Sequence, residues 1–590
     1  MMKVAWRKKL DWLELLSIVI FTAIALVYMS NVLQTNLGIL DESLMLSLAH
    51  NSDTSVSYAG IWSFYTHIIY AVTAGDVYTF RVLGAILLFV SSLLFGYLLV
   101  RDIAPAERFS RPIRITAILA IGVTGLDFYT RLLFVPGYDW LALVGVTGAL
   151  CGYLLTRAKS PTQIRFGAIL IGIFGFLASA GRPIAGIGFI SIFLIDLFFV
   201  RRCKDAKSIT KLLTASALLA AIFHFVFIAN LKDTINSLLL TLRISEADPS
   251  HSPLTLIKVT FWQVGHVARE SIVLSKGLIL VIVILPFVIR KYREKFSSLQ
   301  IRFVAAFLFV SVIALSVFYP NTYLAAVWVS LVITYASMYV VFQAESQVND
   351  SGENDSSQVS RLRNIYSYIL VFIGSIFCIT FTSNIGVVVL ASHLMLLFIA
   401  LMYVFAFNAD EPFIRNFSQK CTTVVTIVFL FSGYQAASHF QGHDISKESV
   451  ATYIGPNNSL IFLNKEQSGE INQIRAFKSK NLIAPNTKVL SLTPYAIYIG
   501  YELDFRYAET PYIVQGQKYA EEYVQRNKEA LNDAWMFTTS DVSRYEPVDP
   551  KPVVTILNKT FPQDYKLMAS FTGRYCVPKV CTINLWKPLR

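Results

Sequence analysis

Apolar positions in this chain come in long unbroken runs, and the polar residues between them are bunched. A helix needs about 20 mostly apolar residues to cross a bilayer core of ~30 Å. Runs of that character fall at 13–32, 82–100, 115–133, 140–156, 166–179, 184–200, 212–230, 277–289, 303–318, 323–342, 365–382, 386–407 and 421–437. The pattern changes after residue 437 to an ordinary soluble mixture. Short apolar-rich stretches at Lys488–Leu492, Ala534–Thr539, Lys566–Phe571 and Thr582–Trp586 predict strands, and Tyr519–Ala530 predicts an amphipathic helix. The expected fold class is an α-helical polytopic membrane protein of about 13 transmembrane helices, residues 1–437, with a C-terminal α/β soluble domain at 438–590.

Composition agrees: 55% of residues are hydrophobic, 15% are charged, and the mean hydropathy is +0.54. The net charge of +13 does not signal nucleic acid in such a chain, because Lys and Arg collect in cytoplasmic loops. With the N-terminus inside, the inner loops hold about 25 Lys and Arg and the outer loops about 7. Lys3, Arg7, Lys8 and Lys9 precede the first run without a small-residue cleavage site, so a retained helix is expected. Two long outer loops follow from this count, at 34–80 and 231–276, and an odd number of spans places 438–590 outside. A polar run at 345–363 is expected as a disordered inner linker. The localisation implied is a multi-pass protein of a bacterial inner membrane with a periplasmic C-terminal domain. Cys576 and Cys581 flank a Val-Pro-Lys-Val turn, and in an oxidising compartment a disulfide is expected between them. Cys151, Cys203, Cys378 and Cys421 read as packing residues.

The candidate chemistry begins just beyond the first run, at Gly38-Ile39-Leu40-Asp41-Glu42. Acids at a helix exit are ordinarily solvated. Here they sit in apolar sequence, in a long loop with the interface anchors Tyr58, Trp62, Phe64, Tyr65 and Tyr70. An acceptor hydroxyl that attacks an anomeric carbon must lose its proton, and a carboxylate within reach can take it. Neighbours on a helix point different ways, so Asp41 is expected as the base, with Glu42 supporting it or binding a sugar. Asp139 and its neighbour Tyr138 are candidates for binding substrate; Asp139 is either a helix N-cap or a second outer acid that binds hydroxyls. Arg182 either snorkels to headgroups or clamps a phosphate with its planar fork. Asp127 and Arg131, four residues apart, are expected as a local ion pair. Arg81 is expected to pair with an acid of the first loop or to bind substrate. His266 and Arg269, in the second outer loop, are candidates for greeting a phosphate donor. His50 and His67 read as structural.

An acidic pair outside the first span, then interface helices, then Gly75-Asp76-Val77-Tyr78-Thr79-Phe80-Arg81-Val82-Leu83-Gly84-Ala85 entering the second span, resembles the integral-membrane GT-C glycosyltransferases. That family includes the protein O-mannosyltransferases and the lipid A aminoarabinose transferase. The resemblance covers residues 35–100 and the overall topology. It implies a catalytic acid in the first outer loop and an inverting transfer of a sugar from a polyprenyl-phosphate donor. The acceptor would be lipid A, a glycan, a glycolipid or a protein. It requires no cofactor and allows a divalent cation near Asp139. The Trp-Trp-Asp signature of oligosaccharyltransferases is absent from the soluble domain. The alternatives are an O-antigen or polysaccharide polymerase or ligase relying on outer-loop Arg and His, and then a transporter or flippase, for which no internal repeat speaks.

Overall fold

A computed structural model describes residues 2–35, 37–38, 41–51, 60–131, 134–247, 253–274, 324–346, 355–381, 394–409, 412–438, 449–481, 483–508, 516–541, 547–576 and 579–589, with scattered positions between 280 and 311. The runs expected to span at 277–289 and 303–318 fall almost entirely outside them. The chain opens with the long helix α1 (Met2–Leu33), and two short helices, α2 (Asp41–His50) and α3 (Trp62–Val72), lie between it and the next long helix. α4 (Val77–Ile103) starts at a cap: the Asp76 carboxylate accepts from the Thr79 backbone N at 2.7 Å.

The run at 115–133 is not one helix. It is α5 (Arg111–Thr124), a 3₁₀ turn (Gly125–Asp127) and α6 (Phe128–Arg131). Gly122 and Gly125 press this segment onto α4, where a Cβ would lie 2.3 Å from Leu93 and 2.1 Å from Ser92. The tightened turn buries Asp127. The side chain of its expected partner, Arg131, lies outside the described residues.

α7 (Tyr138–Leu155) and α8 (Pro161–Gly181) pack backbone to backbone, since a Cβ on Gly145 would meet Ala178 N at 2.4 Å and one on Gly167 would meet Gly152 O at 2.5 Å. α9 (Pro183–Ile195) continues through a π-turn to Val200, and α10 (Ala206–Phe223) through another to Ile228. The segment 231–276, expected as a long outer loop, carries α11 (Leu231–Ala247) and α12 (Pro253–Leu274). α13 (Leu324–Ser346), α14 (Asp355–Thr380), α15 (Met395–Asn408) and α16 (Pro412–Ser438) complete the bundle. α14 begins inside the polar run that was expected to be disordered.

Among the described residues seven helices are long and apolar enough to cross a membrane, and two shorter apolar helices accompany them. Leu13, Leu16, Ile20, Ile24 and Val27 form an exposed apolar stripe on α1, as a lipid-facing surface would. At one end of the bundle Arg157 bonds Asp102 at 2.8 Å and Ser367 at 2.9 Å, and Arg201, held by Asp196 at 2.6 Å, bonds Thr156 at the end of α7 at 3.1 Å. These contacts tie α4, α7, α9 and α14 together.

The C-terminal part starts with an antiparallel hairpin, β1 (Ser449–Ile454) and β2 (Ser459–Asn464), followed by α17 (Lys465–Lys480). β3 (Thr487–Ser491), α18 (Ile497–Leu503), β4 (Phe505–Tyr507), α19 (Gln517–Arg526), α20 (Lys528–Leu531), β5 (Trp535–Thr538), α21 (Pro550–Ile556), β6 (Tyr565–Cys576) and β7 (Lys579–Pro588) follow. The five-stranded sheet runs β4-β3-β5-β7-β6, its first three strands parallel and β7 antiparallel to both neighbours. The four expected strands all belong to it, and the expected helix appears as α19 and α20. The hairpin, α17, α18, β4 and α21 were not foreseen.

Candidate active site

A buried ion pair organises the segment between α1 and α4. α2 begins at Asp41, and its second residue, Glu42, turns inward and is 2% exposed. Glu42 Oε1 meets Arg81 Nη2 at 2.7 Å and Nε at 2.9 Å, and Oε2 accepts from the Gly38 backbone N at 2.7 Å. Arg81 is fully buried in α4. Its Nη1 donates to the carbonyls of Leu33 (2.7 Å) and Thr35 (3.1 Å), and its guanidinium stacks 5.5 Å from the Phe134 ring. The acid that Arg81 finds in the first loop is thus Glu42. With these groups committed to each other, the pair fixes where α1 ends and α2 begins.

Asp41 is the exposed member of the acidic pair. Met45 lies one turn further along the same side of α2. Its sulfur packs where Gly137 has no side chain, 2.2 Å from where a Cβ would be. Gly137 is the N-cap of α7, so Asp139 sits inside the first turn and does not cap it. Asp41 therefore stands about one 5.4 Å turn from the contact that seats α2 on the start of α7.

Beside that seat lies a second ion pair. Arg182 Nε meets Asp139 Oδ1 at 2.5 Å, Nη1 donates to the Ile379 carbonyl at 3.4 Å, and the guanidinium lies 5.0 Å from the Tyr138 ring centre. Tyr138 in turn meets Trp62 of α3 edge-on at 6.0 Å. The Gly181-Arg182-Pro183 turn is gripped from two sides. A Cβ on Gly181 would lie 2.7 Å from Tyr138 O, and Gly60, at φ +121°, brings Ile61 N to Ala180 O at 3.1 Å. Arg182 is 5% exposed and Asp139 7%, so Arg182 is held inside the protein and does not reach out to headgroups.

The other sequence candidates stand elsewhere in the described packing. His266 stacks on Trp262 at 5.3 Å, and Arg269 is exposed on the same helix, α12, whose Ser271 Oγ donates to Ala326 O of α13 at 3.1 Å. Arg182 engages Oδ1 of Asp139, and among the described residues no group of three His, Cys, Asp or Glu side chains is placed to hold a metal ion. Cys581 is disulfide-bonded, and Cys151, Cys203, Cys378 and Cys421 are free. The side chain of Cys576 lies outside the described residues.

The C-terminal domain docks directly on the segment between α1 and α4. Phe462 N donates to Gln34 O at 2.9 Å, Gln467 Nε2 to Leu37 O at 3.2 Å, and Val77 N to Ser459 Oγ at 2.8 Å. The last residue of α2, His50, bonds Asp504 at 2.9 Å, and Tyr70 bonds Tyr501 at 3.2 Å. Asp504 ends α18 in the left-handed conformation (φ +61°) that aims its side chain at α2. The His50 hydrogen bond holds its carboxyl below the ordinary carboxylate range. No motif in the sequence marked Asp504 or Tyr501 as partners of a helix more than 400 positions earlier.

Next to Asp504, Glu502 is buried, accepts from Gly455 N at 2.8 and 2.9 Å, and lies 3.6 Å from Arg475. Burial pushes its carboxyl up to about 7 from 4.5, against the pull of Gly455 N–H, Arg475 and Lys478. A carboxyl raised in the folded state stabilises it fully below the unfolded value and loses that contribution as pH rises through the folded one. The chain is therefore expected to melt at lower temperature as pH climbs from about 5 to about 7, a loss of at most about 3 kcal/mol. Glu502→Gln should flatten this slope in a pH series of thermal melts. An unchanged slope would refute the assignment. Asp504 acts with the opposite sign and below this window.

No protein-family model matches the chain, and no curated protein matches its sequence. Among solved structures, the crystal structure of ArnT from Cupriavidus metallidurans in the apo state is similar over 96% of this chain and 97% of that one, at 10% identity and a TM-score of 0.40. A likeness of that size carries no argument about chemistry, which has to come from the residues themselves.

Proposed function

We propose that this protein is an inverting membrane glycosyltransferase of the GT-C type, moving a sugar from a polyprenyl-phosphate donor to an acceptor at the outer face. The observation that carries the proposal is the placement of Asp41. It is an exposed carboxylate on a short helix whose inner neighbour, Glu42, is consumed by Arg81, and one turn on, Met45 seats that helix on Gly137, two residues before Asp139 of the Arg182–Asp139 pair. The early acidic pair and the Gly75–Ala85 approach to α4 support the same class.

In this reading Asp41 takes the proton of the acceptor hydroxyl as its oxygen attacks the anomeric carbon. The bond from that carbon to the donor phosphate breaks on the opposite side, which inverts the anomeric centre. Arg182 stands beside the departing phosphate. Because Asp139 neutralises its charge, Arg182 contributes oriented hydrogen bonds more than net positive charge. Glu42 and Arg81 never meet substrate in this scheme; they hold α2 at the right angle. The soluble domain, fastened at Gln34, Leu37, His50 and Tyr70, frames the acceptor side. The Cys581 disulfide supports an oxidising, extracytoplasmic location for that domain.

Mass spectrometry of envelope glycans and lipids from cells with and without the chain tests the class. One glycosyl substituent should vanish on deletion and return with the wild-type chain. Identical glycan and lipid profiles, with the protein shown to be expressed, would overturn it.

A further inference from the structure

At the end of the bundle where α1 begins, a cavity of about 160 Å³ is lined by Asp11, Glu14, Ile113, Asn416, Gln419 and Lys420. One water needs only about 10–15 Å³ measured in the same way, so the space suits a guest of several heavy atoms. Three helices meet here at a membrane boundary. The span of α1 starts at Lys9, Ile113 is in the first turn of α5, and 416–420 precede the apolar run of α16.

The lining is charged in an unbalanced way. Asp11 accepts from Ser110 Oγ at 3.0 Å and Glu14 from Thr423 Oγ1 at 2.8 Å, one hydroxyl each. Two carboxylates face one lysine, which leaves the cavity short of a cation. Gln419 is 4% exposed, and its Nε2 finds no hydrogen-bond partner. A buried amide donor left unmet costs free energy unless a guest accepts from it. Around this acidic interior lies a basic rim. Arg108 and Arg415 lie 5.8 and 5.3 Å from the centre of the Phe109 ring, next to Ser110, and Arg111 is exposed on the first turn of α5.

We propose that this cavity binds the headgroup of an aminophospholipid from the adjacent leaflet. The order of charges is the argument. A primary ammonium at the tip of the headgroup donates N–H bonds to Asp11 and Glu14. The phosphate behind it accepts from Gln419 Nε2 and lies between Lys420 and the arginine rim. A phosphatidylglycerol headgroup would satisfy the rim and leave both carboxylates without a cation. A choline headgroup brings a cation that has no N–H to give them. The two carboxylates and one amide also fall short of the six to eight oxygens that a calcium ion takes.

The test is native mass spectrometry of the full chain released from detergent with phosphatidylethanolamine, phosphatidylglycerol or phosphatidylcholine at equal concentration. Phosphatidylethanolamine should be retained about tenfold better than either competitor, the size of one charge-assisted hydrogen bond. Glu14→Gln should erase that preference. Gln419→Leu, which removes no charge, should weaken it and serves where Glu14→Gln fails to fold. Soluble phosphoethanolamine should not displace the lipid; displacement at matched concentration would overturn the lipid source. Equal retention of the three lipids by the wild-type chain, or an unchanged preference in Gln419→Leu, would overturn the site.

Discussion

Asp41→Asn is expected to lower glycosyl transfer by about 10²- to 10⁴-fold, the usual contribution of a positioned general base. Expression, membrane insertion and thermal melting should stay close to wild type. The asymmetry follows from where Asp41 sits. It is exposed in the first turn of α2, where a carboxylate stabilises the helix through the aligned backbone dipoles by only about 0.3–1 kcal/mol. Asparagine still suits a helix start and keeps the shape, yet it cannot accept a proton at neutral pH. A transfer assay on membrane vesicles, with protein level measured in the same samples, separates the two effects. Transfer within a fewfold of wild type would remove Asp41 from the mechanism.

Arg81→Ala should act the other way and cost the fold itself. The substitution leaves the Glu42 carboxylate buried beside the Gly38 N–H alone, and it leaves the Leu33 and Thr35 carbonyls without their donor. Breaking a buried pair from one side typically costs about 3–5 kcal/mol, whereas replacing both partners with apolar groups of similar volume is far milder. The double variant Glu42→Leu with Arg81→Met is therefore expected to recover folded yield and melting temperature that Arg81→Ala loses. Wild-type melting in Arg81→Ala would show that the pair does not brace α2.

How much of this was visible in the residue order follows from the range of the forces involved. α4, α7, α8, α9 and α10 match runs in the sequence closely, because hydropathy over some 20 residues is a local quantity. The run at 115–133 is helical but interrupted by a 3₁₀ turn, and its glycines Gly122 and Gly125 are used for close packing on Leu93 and Ser92 of α4, a contact that hydropathy does not register. α11 and α12 were hidden because their moderate, mixed polarity resembles that of an outer loop. At the site, Arg81 stood out as the lone base near two acids, and it does pair with Glu42. The Asp139–Arg182 pair was not legible. Each residue has a sufficient local explanation, a cap for one and snorkelling for the other, and only the packing of α8 on α7 brings them to 2.5 Å. The docking of His50 on Asp504 was equally out of reach, since it depends on a left-handed residue ending α18 in a domain whose first half gave no strong pattern.

These pieces give the segment after α1 two distinct kinds of acid. Glu42 is buried against Arg81 and Asp41 is exposed, although they are neighbours in sequence, and the proposed chemistry belongs to Asp41 alone. The soluble domain grips the far end of the helix that carries both. The claim at the centre is a single displacement at the anomeric carbon with Asp41 as base. Its most direct test is the anomeric configuration of the product, read by NMR after transfer by the purified chain from a polyprenyl-phosphate sugar of known configuration. The account predicts inversion; retention would contradict it.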